Sequence, residues 1–350
     1  MPIHVDWAVR VNGQNYTSRF NPYVMEIEVT DGSGDTADSA RITLADDGRL
    51  IMPKKGAAIE IDILGQRVFS GILKTPRFTD AKGQGGQLQL DATGHDTEGP
   101  GKEGRYHAVE NATLGEYLTG LAKTAGYTIK VDPDLAKIRQ AWWGAEGRSF
   151  HFELARLSKL YGATRKLSGK KAVMAKRGKG MTPSGQPLPT IEAVRGVNLI
   201  NVDIQPFDES EAVRDVRLSY FDRKAAKFVE EKVDVRPGPT SQGAATARPR
   251  GRAVDKDDAT DRAKGRADES ERDRGGGSVE IEINPLAKAE GTCIVRGERE
   301  GIDGPYRIES VTHTLRGGKT ASSTKVQIKQ PSDDAGKDAR KPGQTGGKQE

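Results

Sequence analysis

Apolar residues alternate with polar ones over 6–11, 24–30, 39–44, 57–64, 67–73 and 86–93, which predicts short β-strands through the first hundred residues. Turn chemistry separates several of them: Val11-Asn12-Gly13-Gln14, Asp31-Gly32-Ser33-Gly34-Asp35 and Leu64-Gly65-Gln66-Arg67. Pro53 and Gly56 mark a loop before the strand at 57–64. Short strands at this spacing, joined by glycine-rich turns, predict a small barrel or sandwich over residues 1–98.

The period then changes. Leu114, Tyr117, Leu118, Leu121 and Ala122 recur at helical spacing, which predicts a helix over 112–125, capped by Asn111 or Thr113 and closed by Gly126. A second helix is expected over 150–160, with Phe152, Leu154, Ala155, Leu157 and Leu160 in the core and Gly162 at its end. A hairpin follows, 163–167 with 172–175, turning at Ser168-Gly169-Lys170-Lys171. Trp142-Trp143-Gly144 reads as an aromatic pair in a loop, either a core anchor or an interface hot spot. Residues 99–190 therefore read as an α+β middle domain.

Strand periodicity returns at 213–221 and 227–235, which pair through Asp222-Arg223-Lys224-Ala225. Residues 236–253 are rich in Pro, Gly, Ala and Arg. Over 254–274 the apolar pattern reduces to Ala259, Ala263 and Ala267, which fits a thin surface helix or disorder. Gly275-Gly276-Gly277 is expected to be a hinge. Four strands close the chain at 278–284, 291–297, 305–315 and 321–330. In the third, alternation assigns Tyr306, Ile308, Ser310 and Thr312 to one face and Arg307, Glu309, Val311 and His313 to the other. Residues 191–330 thus form a second β domain with a polar, Gly/Arg-rich insertion at 236–277. Residues 331–350 hold no large apolar side chain and are expected to be a disordered tail. The stretch 56–71 loosely parallels 291–306, each an apolar strand, a glycine turn and an aromatic-then-aliphatic strand, which hints at a duplicated barrel.

At 34% hydrophobic and 30% charged, the 350-residue chain is lean. That fits either unpacked segments or an oligomer that completes its cores between copies. The 55 Lys and Arg against 50 Asp and Glu leave +5, short of the lopsided balance of a dedicated nucleic-acid binder. The single cysteine, Cys293, excludes a disulfide framework and a cysteine-cluster metal site. Met1-Pro2-Ile3-His4-Val5-Asp6-Trp7 lacks signal-peptide character, and without a run of about 18 apolar residues no membrane span is expected.

Gly317-Gly318-Lys319-Thr320 ends like a phosphate-binding loop, but Thr314 stands where the first glycine is required and a strand follows, so a hairpin turn is expected. In Asp255–Asp261 a calcium loop would need Gly at Thr260 and Glu at Arg266, so a solvated helix face is expected. His4, His95, His107, His151 and His313 have no zinc-ligand spacing. His313 is expected to be structural, hydrogen-bonded at a strand end or a subunit contact. Residues 154–191 hold nine basic side chains and no acidic one. They could meet DNA, an acidic partner or solvent, but the interleaved aromatics of a single-strand binder are missing. The glycosylation triplets at Asn15 and Asn111 read as chance matches. No catalytic, cofactor or metal site is expected.

Three patches resemble the phage late control protein D family. The first is Val9-Arg10-Val11-Asn12-Gly13 with Asp38-Ser39-Ala40-Arg41-Ile42-Thr43-Leu44-Ala45-Asp46 and Val68-Phe69-Ser70-Gly71. The second is the pair of middle helices around Leu114–Ala122 and Phe150–Gly162. The third is Gly304-Pro305-Tyr306-Arg307-Ile308 through Val311-Thr312-His313, with the Thr-rich strand 320–329. Residues 236–277 depart from the family, which has a more regular helix there. The resemblance implies a mainly β fold with an α+β insert and two barrel-like β domains of the contractile-tail hub type, related to the hub part of VgrG. It implies a structural baseplate hub, arranged as a homotrimer that joins a sixfold tail tube to a trimeric spike. DNA or a tape-measure protein would pass transiently through its channel. Location would be the virion tail baseplate, after assembly in the host cytoplasm. Tyr306, Ile308, Val311, His313, Phe69, Gly71, Trp142 and Trp143 are the candidate motif and interface residues. The alternative is a peptidoglycan-degrading tail enzyme, which would need two carboxylates facing one cleft.

Overall fold

The computed structural model describes residues 5–33, 38–83, 85–96, 98–178, 186–206, 213–235, 245–273, 275–317 and 322–331. The expected tail at 331–350, the turn at Gly318–Thr320, parts of the 31–35 turn and of the 236–253 segment, and Lys179 lie outside those residues, Pro331 excepted.

The first β module contains β1 (Trp7–Val11), β2 (Gln14–Asn15), the short helix α1 (Thr17–Phe20), β3 (Val24–Gly32), β4 (Ser39–Ala45), β5 (Ala58–Ile63), β6 (Gln66–Leu73), β7 (Arg77–Ala81) and β8 (Gly85–Thr93). The strand order is β3-β4-β8-β6-β5-β1-β2, with β7 also on β8. Alternation does what the pattern predicts. Ile42 and Leu44 of β4, Ile59, Ile61 and Ile63 of β5, and Leu88 and Leu90 of β8 are all buried in one core. The sequence pattern does not separate β7, because its five residues are all exposed and carry no periodic apolar signal.

Gly71 lets this sheet turn a corner. β6 pairs with β5 along most of its length and passes to β8 at Ile72 and Leu73. A Cβ on Gly71 would lie 2.3 Å from the Thr93 carbonyl oxygen and 2.6 Å from the Phe69 ring. The close approach of strands here leaves no room for a side chain.

The middle module follows: β9 (Ala108–Thr113), α2 (Leu114–Thr124), β10 (Thr128–Val131), α3 (Pro133–Ala136), β11 (Arg139–Gly144), α4 (Phe150–Leu160), β12 (Ala163–Ser168) and β13 (Lys171–Lys176). Thr113 caps α2 in a capping box with Glu116, and all five expected core residues of α2 are buried. In α4 the buried face is Phe150, Leu154 and Leu157, whereas Phe152 is exposed. Two helical steps turn a side chain by about 200°, so Phe150 and Phe152 cannot share a face. β12 and β13 form the expected hairpin. Trp142 and Trp143 lie on β11, paired with β9, and not in a loop.

The second β module contains β14 (Thr190–Val194) and β15 (Leu199–Gln205). After an inserted unit it resumes with β19, β20, β21 and β22. The inserted unit consists of β16 (Val213–Asp222), β17 (Lys227–Asp234), β18 (Ala245–Ala247) and α5 (Lys256–Arg272). β16 and β17 pair as expected, but in a three-stranded sheet of their own with β18. α5 is the helix of the two readings of 254–274. Asp255 caps it, and Ala259, Ala263 and Ala267 bury against Val216, Leu218 and Tyr220 of that sheet.

β19 (Gly276–Glu282), β20 (Thr292–Arg296), β21 (Gly304–Arg316) and β22 (Ser323–Pro331) then complete the module. Its order is β15-β19-β22-β21, with β20 on β21 and β14 on β20. The expected hinge at Gly275–Gly277 is instead the start of β19. Gly276 and Gly277 pair with β15 on one side and β22 on the other. A Cβ on Gly277, at φ 151°, would sit 2.0 Å from the Asp203 carbonyl oxygen.

β21 also pairs with β3, so the two β modules form one continuous 14-stranded sheet. A β-bulge interrupts β21 between Ile308 and Ser310. Tyr306 and Ile308 are buried before it and Val311, His313 and Leu315 after it, so the buried phase shifts from even to odd positions. The assignment of Ser310 and Thr312 to the Tyr306 face is therefore corrected, because the extra residue resets the period of two.

The β5–β6 turn yields a prediction. Leu64 (φ 48°) and Gly65 (φ 74°) occupy the same left-handed pair of positions as Asn12 (φ 50°) and Gly13 (φ 78°) between β1 and β2. Asn-Gly suits such a two-residue turn, whereas an exposed leucine there is strained. Leu64→Asn should stabilise the protein by about 1 kcal/mol, read as a higher midpoint in urea unfolding; an unchanged or lower midpoint contradicts the strain.

Candidate functional site

Most of the predicted motif residues belong to the chain's own cores. Tyr306, Ile308 and Val311 are buried in the second module's core, and Phe69 lies in the first. Trp143 is buried in the middle core, stacked on Tyr117 at 5.6 Å, with its indole N–H donating to the Ala112 carbonyl at 3.0 Å. Gly71 lines the corner described above. As side chains these residues hold the fold. Trp142 alone presents a large exposed surface, 46% of the residue. The structure does not bring the eight together; they fall in three separate places.

His313 is buried in mid-strand, and its Nδ1 lies 3.0 Å from the Thr324 hydroxyl. Thr324 Oγ1 also accepts the Asn284 N–H at 2.8 Å, so one hydroxyl joins His313 to Asn284, just past the end of β19. Burial pushes the imidazole down to about 4, against a small opposing effect of Asp31. His313 is therefore neutral at pH 7, a structural member of the seam beside the Thr30–Thr312 hydroxyl pair at 3.3 Å.

A cluster of charges missed in the sequence occupies the junction of the modules. Lys166 of β12 reaches Asp31 at 2.5 Å and Asp38 at 3.3 Å, tying the middle module to the first. Asp31 also accepts the Ala289 N–H at 3.1 Å. Arg272, at the end of α5 and 5% exposed, donates to the Ser33 hydroxyl at 3.1 Å and faces Glu290 and Glu309 at 3.5 and 3.6 Å. Glu290 accepts from the Thr164 hydroxyl at 2.9 Å. Lys329 joins Asp273 and Glu309, each at 3.0 Å. Glu309 is the bulge residue of β21, so the bulge aims this carboxylate at the two cations. Lys166 and Asp31 lie 135 positions apart, Arg272 and Ser33 239, and Ala289 and Asp31 258. No local spacing could have found them.

The basic run at 154–191 is partly absorbed by partners within the chain. Arg156 pairs with buried Glu153 at 2.8 Å, Lys166 with Asp31, and Arg177 with the Thr164 hydroxyl. Among the described residues no group of three or more His, Cys, Asp or Glu could hold a metal ion.

No family model matches the chain. A probable baseplate hub protein of Escherichia phage 186 is 29% identical over 194 residues, covering 54% of this chain and 49% of that protein. The chain is similar, over about half its length, to probable baseplate hub proteins of phages 186 and P2. It spans about half the length of the curated relatives it matches. Among solved structures, the 43 kDa tail protein of prophage MuSo2 from Shewanella oneidensis superposes with a TM-score of 0.68 at 16% identity, covering 92% of this chain and 97% of that one. A type VI secretion component of Escherichia coli, described as similar to the phage T4 tail proteins gp27 and gp5, gives 0.55 at 8% identity over 94% of this chain and 78% of its own. The chain thus shares its mainly β fold with tail proteins across nearly its whole length.

The junction titrates. Burial, reinforced by the neighbouring Asp31 charge and opposed by Lys166, raises Asp38 to about 6. Burial also raises Asp31, but the Lys166 charge and hydrogen bond outweigh it, and Asp31 ends below its usual value. A carboxyl raised from its ordinary range contributes stability that is complete below about pH 4 and lost as pH rises through about 6, on the order of 3 kcal/mol. The depressed His313 does the opposite, since its contribution is complete above about pH 6.5 and lost as pH falls toward 4. The two oppose each other in one window. Asp38→Asn should therefore steepen the rise of stability between pH 4 and 6.5 and be neutral or stabilising at pH 7.5. Urea midpoints across that range check it; a flatter profile in the variant contradicts the assignment.

Proposed function

We propose that this chain is a structural baseplate hub protein of a contractile phage tail or a related injection system, acting without catalysis. The observation that carries the reading is the β21–β3 pairing, which joins the two β modules into one 14-stranded sheet. The likeness to probable baseplate hub proteins supports it. In this reading residues 1–98 and 191–330 are two barrel domains, interrupted at 236–277, and 99–190 is a middle domain. Three copies form a ring in which six β modules meet the sixfold tail tube on one side and a trimeric spike on the other. Rings of this kind suit proteins whose open strand edges pair across copies. The ring encloses the channel through which DNA or a tape-measure protein passes. The protein assembles in the host cytoplasm and resides in the virion tail baseplate. The junction carboxylates serve this role as joints, each held by a lysine or arginine instead of facing a cleft as a hydrolase pair would.

The mass in solution, alone and with the spike protein of the same tail, tests the reading. A trimer, or three copies on one trimeric spike, is expected. A monomer that ignores the spike and clears a peptidoglycan suspension would replace the hub by an enzyme.

A further inference from the structure

The end of the inserted three-stranded sheet is a surface that the fold does not use. Phe221 and Phe228 face each other across the β16–β17 hairpin and are 44% and 54% exposed. Their rings meet edge to face at 5.2 Å, and the Arg252 guanidinium lies 4.2 Å above the Phe228 ring. Arg223, Lys224 and Lys227 stand exposed in the turn, and Arg250 is exposed beside Arg252. Residues 221–228 and 248–252 together hold six cations and one carboxylate, an excess equal to the +5 of the whole chain. That carboxylate, Asp222, is turned back onto the Lys224 and Ala225 N–H groups at 2.8 and 3.1 Å. Arg223, Lys224, Lys227 and Arg250 have no ion-pair partner among the described residues; Arg248 reaches Glu230 at 3.5 Å.

A charged face of this kind is ordinarily left to water, but exposed phenylalanines at its centre are not. Two chemistries could cover it. Single-stranded nucleic acid needs open ring faces for stacking bases. Here Arg252 already lies over Phe228, and Phe221 meets that ring at an interplanar angle of 66°, so the pair offers a notch between edges and no parallel platform. Aromatic side chains with arginine around them are the composition of a protein interface centre. We infer that the β16–β17 tip is a docking site for an acidic protein segment, one that inserts an apolar side chain beside Phe221 and Phe228 and sets carboxylates against the surrounding cations. The inference is independent of the hub reading and would stand on any scaffold.

The test is fluorescence anisotropy of a labelled peptide, a central Leu-Phe with three glutamates on each side, added to the full chain. Binding is expected, weakened at least tenfold by Phe228→Ala and by Lys224→Glu with Arg250→Glu, while thermal unfolding of these surface variants stays at the parent value. A peptide with Ala-Ala at its centre should bind at least tenfold more weakly. Absence of binding, indifference to Phe228→Ala, or equal affinity for the Ala-Ala peptide overturns the site. A 20-base DNA strand that binds more tightly and displaces the peptide assigns the tip to nucleic acid instead and equally overturns it.

Discussion

The rest of the structure depends on the pairing of β21 with β3. β21 is 13 residues long and serves two cores. Its first half buries Tyr306 and Ile308 with the second module, and its far end buries Leu315 with the first. A plain strand of this length would keep one set of side chains on one face throughout. The bulge at Glu309 shifts the buried phase by one residue, from Tyr306 and Ile308 to Val311 in the same second core and then to Leu315 in the first. The same irregularity turns Glu309 outward to Arg272 and Lys329. One extra residue thus supplies an anchor for α5.

The charges around that seam are joints. Ion pairs of this kind contribute little net stability compared with apolar packing, because desolvation offsets the attraction, but a buried charge left without any partner is costly. Such pairs penalise wrong arrangements. Lys166 can satisfy Asp31 and Asp38 only when the middle module sits where it does, and Arg272 can reach Ser33, Glu290 and Glu309 only when α5 ends at the seam. Hydrogen-bonded charges at each joint, with apolar cores kept separate on either side, favour one arrangement of the modules.

Much of this was legible from local pattern. The face of α2 is settled by 3.6-residue spacing and a capping box, and the alternation of β4, β5 and β8 by burial on one side. The alanine stripe of α5 was visible, but the choice between helix and disorder was not, because it rests on Val216, Leu218 and Tyr220 of another sheet. The failures share a cause. The bulge in β21, the glycine strand start of β19 and the strand placement of Trp142 and Trp143 are all decided by the neighbouring strand. A residue such as Gly277 reads as flexible in isolation and as a close approach once Asp203 is beside it. The junction charges are further still from local pattern, since each partner comes from a different module. Resemblance to the late control protein D family bridged that gap for the overall fold; of the residues it singled out, Tyr306 and Val311 are buried in the second module's core.

The central claim is that two β modules are one cooperative sheet. Native-state amide hydrogen exchange tests it most directly. The account predicts that amides of Glu26–Gly32 and Ser310–Arg316 exchange together, among the slowest in the chain, with the same free energy as the cores on both sides. Seam amides that exchange well before either core, or two modules that open with separate free energies, would contradict it.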